Sequence, residues 1–213
     1  MLQAEYTSMN DPLSTAPSPE TIAIFGGAFD PFHLGHAAVI EHLLGTPGIS
    51  RVIVMPSGDR PDKRELSPAQ HRLALATLGV AECFPANARV VVSDLHASGK
   101  VGYGTVDLVL HYQKDPRVRA VFAIGQELVR DLPLWKDSDI LRQKGEFLVL
   151  QRPGAEPVQA LPGWKMTLAK PFANGGVLIS STAVRERLAR GEKSSQFVPH
   201  SVVKYCLEKK LYT

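Results

Sequence analysis

Eleven consecutive residues, Gly26-Gly27-Ala28-Phe29-Asp30-Pro31-Phe32-His33-Leu34-Gly35-His36, form the densest set of chemistry-bearing positions in the chain. Gly26 and Gly27 permit a sharp turn and close approach of the backbone to a ligand. His33 and His36 lie three residues apart, so at a helix start both can face one side. The N–H groups of a helix start add a fixed positive potential, which suits a polyphosphate. Two imidazoles beside such an anion have their pKa raised, which favours the proton-donating form. Two other readings of these residues stay open. One is a glycine turn followed by ordinary helix-start histidines. The other is a zinc pair with Asp30 nearby, for which no further Cys, His or acidic cluster completes a ligand set.

A second stretch, Ile179-Ser180-Ser181-Thr182-Ala183-Val184-Arg185, ends a short apolar run in three hydroxyl residues, with an arginine one helical turn on. Hydroxyls, helix-start N–H groups and a guanidinium can converge there on one anion; a plain N-cap with a solvated arginine is the alternative. A third segment, residues 57–64, follows an apolar run and carries Arg60, Lys63 and Arg64. It reads either as a loop that closes over phosphates or as a solvated surface loop. Gly125 and Glu127 stand at the end of another apolar run, and Trp135 follows. An indole near a crevice can stack on a planar base, or simply pack. His42, His71, His96, His111 and His200 have no comparable setting and receive no role.

These residues need a scaffold that places them at the ends of strands. Apolar runs predict strands over 21–25, 51–55, 88–92, 118–124, 147–150 and 177–179. Helical spacing predicts helices over 34–44, 105–112, 138–143, 182–190 and 201–209. A further helix is expected to open at Ser67 with a capping box to Gln70 and to run to about residue 78. Strands that are apolar throughout and alternate with helices imply an α/β fold: a doubly wound parallel sheet covered on both faces. In such sheets ligands bind beyond the carboxyl ends of the strands. Residues 1–20 hold three prolines and small polar residues without apolar periodicity, and read as a flexible leader. Residues 21–213 read as a single domain.

Composition narrows the function classes. The chain has 213 residues, 44% hydrophobic and 21% charged, with a formal net charge of +3. That charge is too small for the dense basic stripe of a nucleic-acid binder. No apolar run approaches the roughly 20 residues that span a bilayer, so no membrane partner is expected. Cys83 and Cys206 form no CxxC and no even framework, which fits a reducing cytoplasm.

The GGAFDPFHLGH and ISSTAVR strings together resemble the nucleotidyltransferase superfamily marked by H-x-G-H near the start and S-T-x-x-R near the end. The similarity extends from Ile22 to Tyr212, through GYGTVDLVL, AIGQELVRDLPLW, QRPGAEP and FVPHSVVKYCLEKKLY, and is closest to the bacterial nicotinate-nucleotide adenylyltransferases. The resemblance implies a Rossmann-like sheet, ATP and a mononucleotide as substrates, Mg²⁺ as the accompanying ion, and nicotinic acid adenine dinucleotide as product. It implies that His33, His36 and Arg185 act on the phosphates. Gly26, Gly27, Phe29, Gly35, Lys63, Arg64, Gly125, Ser180, Ser181 and Thr182 then surround ATP, while Tyr103, Gly104, Glu127 and Trp135 meet the acceptor. The departures cluster on the acceptor side. Gly102-Tyr103-Gly104 stands for the family's Ser-Tyr-Thr, Glu127 for Asp and Lys136 for an aromatic, and Arg-Pro-Asp-Lys replaces Pro-Pro-His-Lys. Other phosphate-bearing acceptors such as nicotinamide mononucleotide, and a nucleotide-binding sensor without turnover, are the alternatives. A homo-oligomer stays open.

Overall fold

Strand β1 (Glu20–Gly27) buries Ile22 and Ile24 on one side and Ala23 on the other. A strand with no wet face must lie inside a sheet covered on both sides. It pairs in parallel with β2 (Arg51–Pro56) on one edge and with β4 (Val118–Gly125) on the other. β3 (Val90–Val92), β5 (Glu146–Leu150) and β6 (Lys165–Leu168) complete a six-stranded parallel sheet in the order β3-β2-β1-β4-β5-β6. The computed structural model describes residues 18–59, 66–151, 156, 158–172, 179–192 and 196–212. Among them, no helix is long and apolar enough to cross a membrane.

The helices divide between the two faces. One core joins Ala23, Val121 and Leu148 of the sheet to α1 (Leu34–Leu44), α2 (Ala69–Cys83), α5 (Ser181–Ala189) and α6 (His200–Glu208). The other joins Ile22, Ile24, Phe122 and Phe147 to α3 (Thr105–Tyr112) and α4 (Ser138–Lys144). The doubly wound parallel fold expected from the alternation of strands and helices is the one observed, with its crossover point between β1 and β4.

Several local expectations are corrected. Gly26 and Gly27 do not form the turn; they are the last residues of β1, and the reversal falls at Phe29, whose φ is 52°. The capping box at Ser67 is absent, because α2 starts at Ala69 with Pro68 before it. Its first N–H is taken instead by Asp59 from a distant loop, Ala69 N to Asp59 Oδ1 at 2.8 Å. α2 also runs five residues past 78, to Cys83. The sixth strand is Lys165–Leu168, which was not expected, and a 3-10 segment spans Gln126–Leu134. Residues 177 and 178 of the strand expected over 177–179 lie outside the described residues, and Ile179 is not in a strand. Residues 1–17 of the expected leader also lie outside them, and Glu20 already belongs to β1.

One close approach fixes how the loop after β1 meets α2. Phe32 is fully buried, and a Cβ added at Gly79 would sit 2.2 Å from its ring. The helix backbone therefore serves as the floor beneath the aromatic. Gly79→Ala should cost about 1–3 kcal/mol by overpacking, despite alanine's better helix propensity. Urea unfolding should show a lower midpoint at unchanged slope; an unchanged midpoint would mean that the Phe32 ring has room to move.

Candidate active site

A cleft of about 1120 Å³ opens at the carboxyl ends of β1 and β4. Its base is the backbone of Gly26 and Gly27; a Cβ added at Gly26 would touch nothing within 4 Å, so that surface is open to a ligand. His33, Gly35 and His36 line one wall, and Ser180 and Ser181 line the side formed by the start of α5. Gly125, Glu127, Tyr103 and Trp135 line the far end. The two sequence strings, about 145 residues apart, thus meet across one cavity.

The histidines are arranged as a pair. Their rings stack with centroids 3.7 Å apart and planes 20° from parallel. His33 immediately precedes α1, and its backbone N–H donates to His36 Nδ1 at 3.1 Å. With Nδ1 accepting, the neutral His36 ring carries its proton on Nε2 and is set to donate. Burial pushes His33 down to about 4, and its Nδ1 has no partner among the described residues. Burial, and then the charge of His33, hold His36 well below the ordinary imidazole range. The rise expected beside a polyphosphate is therefore not a property of the free protein, where desolvation dominates. An arriving anion opposes that desolvation, and the stacking disfavours charging both rings at once.

Phe29 does not face the cleft. Its ring is fully buried, edge-on to His36 at 4.8 Å and to Phe25 at 5.4 Å, and it forms the platform that sets the histidine's position. Arg185 is also turned from the cavity lining: Nη1 donates to the Asp30 carbonyl at 2.9 Å and Nη2 to Thr182 Oγ1 at 3.3 Å. Ser180 caps α5 by accepting from Ala183 N at 3.2 Å, and Ser181 Oγ donates to the Pro31 carbonyl at 3.1 Å. Part of the hydroxyl cluster thus does what an ordinary N-cap does, while tying α5 to the loop that precedes α1. Lys63 and Arg64 lie outside the described residues. Gly104 adjoins Tyr103 and Thr105 of the lining but is not part of it, its N–H held by Asp107 Oδ2 at 2.9 Å.

Three residues that sequence reasoning passed over belong to the arrangement. Arg187 lines the cleft, its guanidinium 5.0 Å over the Phe197 ring; on α5 it shares the face of Ser180 and Ala183, which helical spacing could have shown. Arg72 is fully buried and donates to the carbonyls of Ser67, Ala28 and Gly58, to Ser57 Oγ and to Asp59. It binds the loops after β1 and β2 together, yet in sequence it looks like any solvated helix arginine. His96 is buried and lines the cleft together with Tyr103 and Trp135.

Comparison with known proteins follows the same lines. Residues 24–187 match the family model described as cytidylyltransferase-like. The chain is 32% identical over 192 residues to the probable nicotinate-nucleotide adenylyltransferase of Myxococcus xanthus, covering 90% of this chain and 94% of that one. To its counterpart from Roseiflexus sp. it is 31% identical over 211 residues, covering 94% and 100%. The Plasmodium falciparum nicotinic acid mononucleotide adenylyltransferase complexed with NaAD superposes with a TM-score of 0.73 at 21% identity, over 91% of this chain and 97% of that one. A putative nicotinate-nucleotide adenylyltransferase from Vibrio parahaemolyticus gives 0.64 at 22%, over 91% and 95%; at such identities these two structures speak to the fold. With the H-x-G-H pair and the start of α5 meeting across one cleft, the chain belongs to the cytidylyltransferase-like family of nucleotidyltransferases, among the nicotinate-nucleotide adenylyltransferases.

Proposed function

We propose that this chain transfers AMP from ATP to nicotinate mononucleotide, giving nicotinic acid adenine dinucleotide and pyrophosphate. The observation that carries the reading is the stacked His33–His36 pair beside the glycine backbone of β1, sharing with the start of α5 a cleft of about 1120 Å³. The curated relatives named for this activity match nearly the whole chain.

The acceptor phosphate attacks the α-phosphorus in line, the new O–P bond forming as the bond to the β-phosphate oxygen breaks. A phosphate monoester with a second pKa of about 6 is already largely dianionic at neutral pH, so no protein base is needed. The protein aligns the two substrates and stabilises charge on the α-phosphate and the departing pyrophosphate. His36 donates through Nε2, and His33 takes up a proton as the triphosphate offsets its burial. Arg185 holds the Asp30 loop against α5 and reaches the phosphates through that frame, with Thr182 as its partner. Gly35 and Gly125 allow close passage of the nucleotide. Lys63 and Arg64 are the further cations that the family resemblance assigns to ATP.

Mg²⁺ enters with ATP as part of the substrate. Among the described residues no group of three or more His, Cys, Asp and Glu is arranged to hold a metal ion, and the donor set of imidazoles and backbone fits a cation carried in by the triphosphate. Two free cysteines and a need for ATP support a cytoplasmic setting for the reaction.

Two measurements test the reading. Pyrophosphate release with Mg-ATP, compared across nicotinate mononucleotide, nicotinamide mononucleotide and phosphopantetheine, should be fastest with nicotinate mononucleotide and should collapse when CTP replaces ATP. A preference for phosphopantetheine or for CTP would reject the assignment. His36→Ala should lower kcat by about 10²–10⁴-fold while changing the Kd for Mg-ATP much less, because its donor acts on charge that develops in the transition state. Equal losses in both would make His36 a ground-state binder instead.

A further inference from the structure

The acceptor end contains a buried histidine with an unused nitrogen. His96 is 7% exposed and lines the cleft in the neighbourhood of Tyr103, Thr105 and Trp135. Its ring is hydrogen-bonded to the Gly104 backbone, and its Nε2 is buried without a partner among the described residues. A buried polar atom left unpaired costs about 1–3 kcal/mol, and in an active site the usual explanation is a ligand that completes it.

The surroundings state what that ligand should carry. A serine side chain at position 102 has no room, since a Cβ there would sit 2.5 Å from Asp107 Oδ2. That carboxylate caps α3 by accepting from Gly104 N. Asp107 itself is not on the cleft lining, where Tyr103 and Thr105 bring hydroxyls and Glu127 an acid. Lys136 answers Asp107 at 3.5 Å and so is already engaged. From the loop after β2, Gly58 packs against the His96 carbonyl, and Asp59 is turned to Arg72 and Ala69 N. The exposed Tyr103 ring, near Gly58, is the side from which an acceptor can enter. Among these groups His96 is the one imidazole that can take up a proton to meet an incoming anion.

We propose that His96 determines acceptor specificity, its Nε2–H donating to a carboxylate on the acceptor's ring; this rests on the adenylyl-transfer reading above. In the free protein burial keeps His96 below the ordinary imidazole range, with Asp107 and the Gly104 backbone pulling it back up. A carboxylate at Nε2 adds to that pull, so binding of the acid form takes up one proton. Binding of the corresponding amide takes up none. Affinity for the acid therefore falls as pH rises between the free and the complexed pKa, by up to about tenfold per pH unit.

The test measures KM for nicotinate mononucleotide and nicotinamide mononucleotide from pH 6 to 8.5 at saturating Mg-ATP. The ratio of the two cancels the titration of the phosphate they share. In the native chain the acid's KM should rise relative to the amide's across this range. His96→Gln, which still donates but does not titrate, should flatten the ratio and reduce acid preference by at least tenfold at pH 6. Thermal melts confirm that the variant is folded; if it is not, His96→Asn replaces it. A native ratio independent of pH, or a folded variant with the native ratio and slope, overturns the role of His96 while leaving adenylyl transfer standing. Absence of turnover with either pyridine acceptor overturns the functional reading, and this one with it.

Discussion

The parallel pairing of β1 with both β2 and β4 is the constraint on which the rest depends. Because β1 is central, the chain must leave its carboxyl end in one direction while the chain leaving β4 turns the other way, and a crevice opens between them. Everything chemical in the protein is attached to that crevice. The glycines that finish β1 floor it, the loop they release carries the histidines, and the 3-10 segment after β4 brings Glu127 and Trp135 to its far end. Register enforces the placement: Gly27 pairs with Pro56, so the loops after β1 and β2 start side by side.

Those loops are held by two buried polar groups. The carboxylate of Asp30 is fully buried, accepting from Tyr212 Oη at 2.5 Å and from Ser67 N at 3.0 Å, while its own carbonyl receives Arg185. Arg72 performs the complementary task with carbonyls on three segments. A buried polar group is tolerated only when its lone pairs or protons are satisfied; Arg72 meets that condition mainly with main-chain carbonyls, and Asp30 with the Tyr212 hydroxyl and the Ser67 N–H. Removing Arg72 leaves the carbonyls of Ala28, Gly58 and Ser67 without this donor, and removing the Asp30 carboxylate does the same to the Ser67 N–H and the Tyr212 hydroxyl. The loops after β1 and β2 are thus tied together by hydrogen bonds, which is what preorganised charge stabilisation of bound phosphates would require.

Much of this was legible in the sequence where local patterns decide the outcome. The strand–glycine–helix unit around residues 21–44 and the helix Thr105–Tyr112 follow from apolar spacing alone. What was not legible arises from distant parts of the chain. α2 begins where Asp59 can reach its first N–H, a contact ten residues away that no capping pattern encodes. β6 is a mostly exposed edge strand, so it lacks the apolar run that marks the central strands. His96 carries no local signal; it is buried because the loop after β2 and the Gly104 turn close over it. Phe29 and Arg185 lie within the recognisable strings, yet their side chains support the site from behind. Motif membership identifies the neighbourhood of a reaction, and only packing distinguishes the residues that face the substrate from those that hold them.

A site of stacked neutral imidazoles and helix-start N–H groups offers alignment and charge stabilisation, and the acceptor's own phosphate is already an anionic nucleophile. The account therefore requires direct transfer between the two substrates, in one displacement at phosphorus. The most direct measurement is the stereochemical course with ATP carrying a chiral α-phosphorothioate and nicotinate mononucleotide as acceptor. Inversion of configuration at the α-phosphorus is the result the account predicts. Retention would require two displacements through a protein-bound adenylate, and would contradict it.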